Sequence, residues 1–220
     1  MTTPNIPAKQ RYGSSNESVG DWVLLHKREL TWAVLALAVI VAGLWFYGRS
    51  QSIKSQRAES AYFQARQSAA AGNLPLAVSD LKKVVARYEG TRAGTQAALS
   101  LAQTLYDQKK FKEGLDVLKK VEAKAPSDFR PSIHLLEAAG YEELKDFVPA
   151  AEQYKLASMA TGFPVDKAKY QAGAARDYMA AGKTDKAIAI WTELAKDDSS
   201  PEAAEARVRL GELTAKPMKT

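Results

Sequence analysis

Apolar and polar positions follow two different rules along this chain. Residues 30–47, LTWAVLALAVIVAGLWFY, carry no charge and show no polar face. From about residue 58 onward, short apolar stripes instead alternate with charged ones, in a phrase that returns four times: GNLPLAVSDLKKV (72–84), KKFKEGLDVLKKV (109–121), KDFVPAAEQYKLA (145–157) and GKTDKAIAIWTEL (182–194). A small residue holds the same place in each, Ala77, Gly114, Ala150 and Ala187, at steps of 37, 36 and 37 residues. A period of this length denotes stacked supersecondary units.

Each unit supplies two antiparallel helices. Four positions after the small residue comes a larger one, Leu81, Leu118, Tyr154 or Trp191, and three further on Val84, Val121, Ala157 or Leu194. Steps of four and three trace one face of an α-helix. Twelve positions before the marker lies a second small residue, Ala65, Ala102, Ala138 or Ala175. Small residues on both helices let the backbones approach closely and so fix how the pair crosses. Turns are predicted at Gly72-Asn73, Lys109-Lys110, Lys145-Asp146 and Gly182-Lys183, with Pro126, Pro131, Pro164 and Pro201 at helix borders where proline is tolerated. The pattern predicts repeats at about 58–91, 95–128, 131–164 and 168–200, a capping helix over 201–215 and a flexible tail over 216–220. No segment reads as a strand.

The uncharged segment predicts a transmembrane helix over 30–48. At ~1.5 Å per residue its apolar run spans about 27 Å, close to a ~30 Å hydrocarbon core. Trp32 at one end, with Trp45 and Tyr47 at the other, stand where an interfacial aromatic belt belongs. The run is long for a signal peptide, starts far into the chain and lacks a small-x-small site, so an uncleaved single-pass anchor is expected. Within twenty residues, three Lys/Arg precede it (Arg11, Lys27, Arg28) and four follow (Arg49, Lys54, Arg57, Arg66), a balance that leaves orientation open. Residues 1–17, rich in Pro, Ser, Thr and Gly, read as a disordered tail. Residues 18–29 read as an amphipathic juxtamembrane helix, with Asp21 as N-cap and Trp22 and Leu25 on its apolar side.

Charge changes little in this picture. The formal excess is +6, but residues 58–220 hold 24 basic and 22 acidic residues. That mixture is not the one-sided basic face that nucleic acid requires, and no nucleic-acid partner is expected. The absence of cysteine excludes disulfides, thiol catalysis and Cys-ligated metals.

The small residues on facing helices resemble the tetratricopeptide repeat, with a period stretched by two or three residues. The fold expected is an all-α, tetratricopeptide-like α-solenoid of about four helix pairs plus a capping helix, carried on an N-terminal transmembrane helix. The order of features goes further: LWFYGRSQ closing the anchor, then SQRAESAYFQA, ALSLAQTLYDQKKFKEGLDVLKK and GKTDKAIAIWTELAKDD…ARVRLGEL. Together these resemble the YfgM family, from about residue 18 to 213. That resemblance implies a bacterial inner-membrane protein with a cytoplasmic N-terminus and a periplasmic repeat domain. The implied partners are the SecYEG translocon, periplasmic chaperones and unfolded or nascent secretory chains. It brings no catalytic residues.

No P-loop, GxGxxG, HExxH or GxSxG is present, and His26 and His134 are the only histidines. Neither an enzyme, nor a cofactor, nor a metal is expected. Adjacent acids such as Glu142-Glu143 point in different directions on a helix, and the Lys-Lys pairs at 82–83, 109–110 and 119–120 read as solvated faces or as contacts for acidic partners. In a tetratricopeptide stack the first helix of each pair lines the concave face. By register, Tyr62, Arg66, Gln96, Gln103, Tyr106, Leu135, Glu142, Arg176 and Met179 are the candidate groove, a mixed lining suited to a protein segment. Tyr62, Tyr106 and Met179 have the alternative of packing between repeats. Asparagines occur only at Asn5, Asn16 and Asn73, so an asparagine-based carboxylate clamp is not expected. The competing reading is a membrane-tethered scaffold that organises an assembly, with self-association through its end repeats.

Overall fold

The computed structural model describes residues 26–215, and every regular element among them is helical. α1 covers Lys27–Ala70, α2 Leu74–Arg87, α3 Arg92–Asp107, α4 Phe111–Glu122 and α5 Arg130–Glu143, with a 3-10 turn at Ser127–Phe129. α6 covers Phe147–Ala160, α7 Pro164–Ala180, α8 Thr184–Leu194 and α9 Glu202–Thr214. The chain divides into two compact units, Met1–Gln51 and Ser52–Thr220.

In the first unit, the apolar stretch of α1 has no buried residue, and Trp32, Val39, Leu44 and Phe46 are all largely exposed. This is one helix long and apolar enough to cross a membrane. The expected division between a helix over 18–29 and a second over 30–48 is corrected. Lys27, Arg28 and Glu29 already belong to α1, and α1 does not stop at residue 48. No proline interrupts the sequence between 27 and 70, and QSIKSQRAESAYFQA supplies good helix formers, so nothing ends the helix there. The proposed tail 1–17 and the residues Asp21, Trp22 and Leu25 lie outside the described residues.

In the second unit, the helices pair through their small residues. Ala65, Ala77, Ala102, Gly114, Ala138, Ala150, Ala175 and Ala187 are all buried. Ala58 and Ala65 of α1 meet Leu81 and Val84 of α2 and Leu101 of α3 in one apolar cluster. Ala102, Leu115, Leu118, Val121 and Ile133 join α3, α4 and α5 in the next. Ala151, Ala175, Tyr178, Ala187, Trp191 and Ala206 join α6 through α9. α3 serves two of these clusters, the first through Leu101 and the next through Ala102, and helices adjacent in sequence pack on one another along the unit, as in a solenoid.

One device makes all four turns within the pairs. The second residue after each first helix takes a left-handed conformation: Gly72 (φ +78°), Lys109 (+62°), Lys145 (+62°) and Gly182 (+68°). The following N–H then reaches back five residues: Asn73 to the Ser68 carbonyl at 3.0 Å, Lys110 to Leu105 at 2.8 Å, Asp146 to Tyr141 at 2.9 Å and Lys183 to Tyr178 at 2.7 Å. This Schellman closure satisfies carbonyls that the helix end leaves open and sets the second helix antiparallel to the first.

Candidate functional site: the concave face

Two neighbouring depressions open on the first helices. The first, of about 690 Å³, is lined by Tyr62, Phe63, Arg66 and Gln67 of α1 and by Gln96 of α3. The second, of about 580 Å³, is lined by Leu99, Ser100 and Gln103 of α3, Leu135, Leu136 and Ala139 of α5 and Tyr154 of α6. A hydrogen bond of 2.9 Å between the Tyr62 hydroxyl and Ser100 Oγ ties the two. Arg66 stands over the Tyr62 ring at 5.9 Å and leaves its charge at the rim of the first. The second has an aliphatic floor with only Ser, Gln and Tyr polar groups, so it offers apolar burial and hydrogen bonds but no fixed charge.

Five of the nine candidate groove residues line these depressions: Tyr62, Arg66, Gln96, Gln103 and Leu135. Tyr106 does not, and that expectation is corrected. It is 6% exposed, its ring lies where side chains at Gly114 and Gly140 would be, and its hydroxyl donates to the Leu136 carbonyl at 3.2 Å. Glycine at both places leaves room between α3, α4 and α5, and the ring fills it. Burial pushes its hydroxyl pKa well above the ordinary value.

Glu142, Arg176 and Met179 lie further along, on α5 and α7. Met179 packs against the last cluster, its sulfur accepting the Trp191 indole N–H at 3.3 Å. Arg176 grips Glu205 of α9 with two hydrogen bonds, of 2.8 and 2.7 Å, and so holds the capping helix. Glu142 lies against Asp177, whose side chain is buried with Oδ2 unpartnered. Burial and that second carboxyl raise Asp177 to about 7. Tyr154 borders the same pair and packs on Gly173.

Sequence reasoning missed Phe63, Gln67, Leu99, Ser100, Leu136, Ala139 and Tyr154 as lining residues. All but Tyr154 stand one, three or four positions from residues that were chosen, so the helical stripe already contained them. Tyr154 read only as the large residue of a packing face. The pairing of buried His134 with buried Glu137, and their further partners, was also missed. His134 is 5% exposed, with Nδ1 at 2.8 Å from Gln153 Oε1, 3.6 Å from Glu137 Oε2, and Nε2 at 3.8 Å from Glu122 Oε1. Glu137 is fully buried, and the neighbouring carboxylate raises the imidazole pKa. This packed histidine belongs to the α4–α6 interior and not to the groove.

Glu152 of α6 gathers three donors, the Tyr178 hydroxyl, Lys155 at 2.9 Å and Lys186 at 3.3 Å, from α6, α7 and α8. These hold its carboxyl down at about 2. Among the described residues no cluster of three or more His, Asp or Glu has the arrangement of a metal site.

Residues 21–136 match the family described as tetratricopeptide repeat-like domain, and residues 173–215 match a tetratricopeptide repeat. The first match spans more than half of the chain, and the chain belongs to this tetratricopeptide repeat-like family. Domains of this kind are generally protein-interaction modules. Solved structures with the same fold include the nearly identical tetratricopeptide-like repeats of a candidate kinesin light chain from Podosopora anserina, at 18% identity and a TM-score of 0.54, covering 72% of this chain and 86% of that one. The MamA RS-1 ArsTM double mutant follows at 16% identity and TM-score 0.50, covering 71% and 93%. BtubC (BKLC) from P. vanneervenii has 16% identity and TM-score 0.51, covering 74% and 68%. No curated protein matches the sequence significantly.

Proposed function

We propose that this protein is a non-catalytic binding module, held at a membrane by α1, that takes a segment of a partner protein on its concave face. The observation that carries the reading is the second depression, where Leu99, Leu135 and Leu136 make an aliphatic floor beside Gln103 and Ser100 on rigid helices. Such a surface buries apolar side chains of a partner while its amide and hydroxyls satisfy backbone groups. The wholly exposed apolar stretch of α1 supports the anchor, because a helix apolar on all sides is stable only in lipid or in a protein core. Anchoring raises the effective concentration of the groove for partners at the same membrane and relaxes the need for high affinity.

The likeness to the YfgM family supports a finer reading. The membrane is the bacterial inner membrane, the N-terminus is cytoplasmic and the repeat unit is periplasmic. The partners are the translocon, periplasmic chaperones and emerging secretory chains. Two measurements on the full chain test it. Protease added to spheroplasts should remove a C-terminal tag while a cytoplasmic control survives. A photo-crosslinking residue at position 103 should then capture translocon subunits or chaperones, and one at the exposed Lys112 should not. A protected tag would overturn the periplasmic reading. Equal capture from both positions would overturn the concave face as the binding surface.

A further inference from the structure

A second apolar opening lies away from the concave depressions, between the second helices α2 and α4. It measures about 380 Å³, with Leu101 of α3 as its floor and Val85 and Val117 as its walls. Lys82 of α2 and Lys120 of α4 border it. Its origin is visible in the repeat, since DLKKVVAR (80–87) and VLKKVEAK (117–124) are nearly the same phrase. Leu81 and Leu118 enter the core from both copies. The two Lys-Lys pairs then part ways. Lys83 binds Asp80 at 2.9 Å and Lys119 stands over the Tyr141 ring at 5.2 Å, so each is engaged within the fold. Lys82 and Lys120 have no hydrogen bond, ion pair or ring contact among the described residues. The one acid at the opening, Glu89, is already neutralised by Lys124 at 2.7 Å.

The opening therefore combines an aliphatic trough with two uncompensated ammonium groups, one from each wall. Lysine stems add to the apolar lining while the charged heads stay in water. We propose that this trough is a second docking surface, and that its occupant is an acidic amphipathic segment of a partner protein, with aliphatic side chains in the trough and flanking Asp or Glu on Lys82 and Lys120. Charge complementarity selects that occupant. A neutral segment would leave both ammonium groups unused, and a basic one would be repelled by them. The proposal uses a different surface from the concave face and stands or falls separately from it.

The test uses the full chain in an uncharged detergent and a fluorescein-labelled helical peptide with a leucine stripe flanked by glutamates. Anisotropy should report binding that weakens with salt, as exposed charge pairs do. Lys82→Glu/Lys120→Glu should weaken it by roughly tenfold, since two attractions become repulsions, and Lys112→Glu should leave it unchanged. Because Lys82 and Lys120 are exposed, the double variant should melt like the parent. A peptide with lysines in place of the glutamates should bind the double variant and not the parent, which would exclude a merely structural effect. Three results would each overturn the proposal: no binding by the parent, binding unaltered by the double substitution, or parent binding to anionic phospholipid vesicles lost in the double variant while peptide binding persists. The last would identify the trough as a membrane-facing surface.

Discussion

The hydroxyl of Tyr106 on α3 occupies the place where a side chain on Gly140 of α5 would stand. The same ring covers Gly114 of α4, so one side chain occupies the gaps left by two glycines on two other helices. Its hydroxyl donates to the Leu136 carbonyl, one turn before Gly140, at 3.2 Å. The joint between the second and third repeats is therefore a tyrosine set into two glycines, and the next joint repeats the device with Tyr154 of α6 on Gly173 of α7.

Adding one methyl group at that joint tests it. Gly140→Ala should destabilise the chain by ~1–3 kcal/mol, because the ring is buried and has nowhere to retreat. Tyr106→Phe alone should cost about 0.5–1.5 kcal/mol for the lost hydrogen bond. Since the hydroxyl is the first atom that the new methyl meets, the double variant should lose less than the sum of the two. Denaturant midpoints of the four chains give the coupling, and strict additivity would show that the two residues do not compete for the same space.

The turns give a prediction of opposite sign. Lys109 and Lys145 hold the left-handed conformation that Gly72 and Gly182 hold at the equivalent turns, although a Cβ makes it unfavourable. Lys109→Gly and Lys145→Gly should each stabilise the fold by up to about 1 kcal/mol, less the extra entropy of glycine in the unfolded chain. Neither lysine is buried, and Lys109 has only a ring contact with Phe111 to lose. A fall in thermal midpoint for both variants would mean that the lysine side chains outweigh the backbone strain.

Much of the fold could be read because the repeat is a packing repeat. A small residue recurring every 36 or 37 positions marks where backbones meet, and the eight positions it singled out are all buried. What remained hidden depended on neighbours distant in sequence. The register sends Tyr106 toward the groove, and only glycines 8 and 34 residues away turn it inward. Tyr154 belongs to a packing stripe and yet borders the depression. The meetings of Glu142 with Asp177, and of His134 with Glu137, Glu122 and Gln153, place polar groups in an interior that the apolar pattern describes as uniform. The extent of α1 follows a simpler rule. The change from apolar to polar composition near residue 48 marks a change of surroundings, and the backbone has no cause to break there.

In the concave face, stability and binding should separate. Leu135 is half-buried and lines the second depression without joining an apolar cluster. Leu135→Glu should cost no more than about 1 kcal/mol in a melt. It should nonetheless abolish the crosslink from position 103, because a charge would replace part of the aliphatic floor. A lost crosslink accompanied by a collapsed melting curve would mean that Leu135 serves the fold and not the surface.

The Glu142–Asp177 contact makes stability depend on pH in a defined direction. Native Asp177 keeps its proton up to about 7, whereas an unfolded chain releases it near the ordinary value of about 4. Between these values the native state binds more protons. Its contribution is therefore complete below about pH 4 and is lost as pH rises through about 7. His134, with a raised pKa, acts in the same direction at a higher pH: its contribution is present below the ordinary histidine value and is lost as pH rises through the folded one. Glu152, held at about 2, acts oppositely, but its contribution is lost only in acid, outside this window. The chain should thus be less stable at about pH 8 than at about pH 5, with the Asp177 share on the order of 2 kcal/mol. Asp177→Asn keeps a donor toward Glu142 at every pH and cannot ionise. It should melt like the parent at the lower pH, melt higher at the upper, and retain only the smaller slope left by His134. An unchanged slope in that variant would place the pH dependence elsewhere.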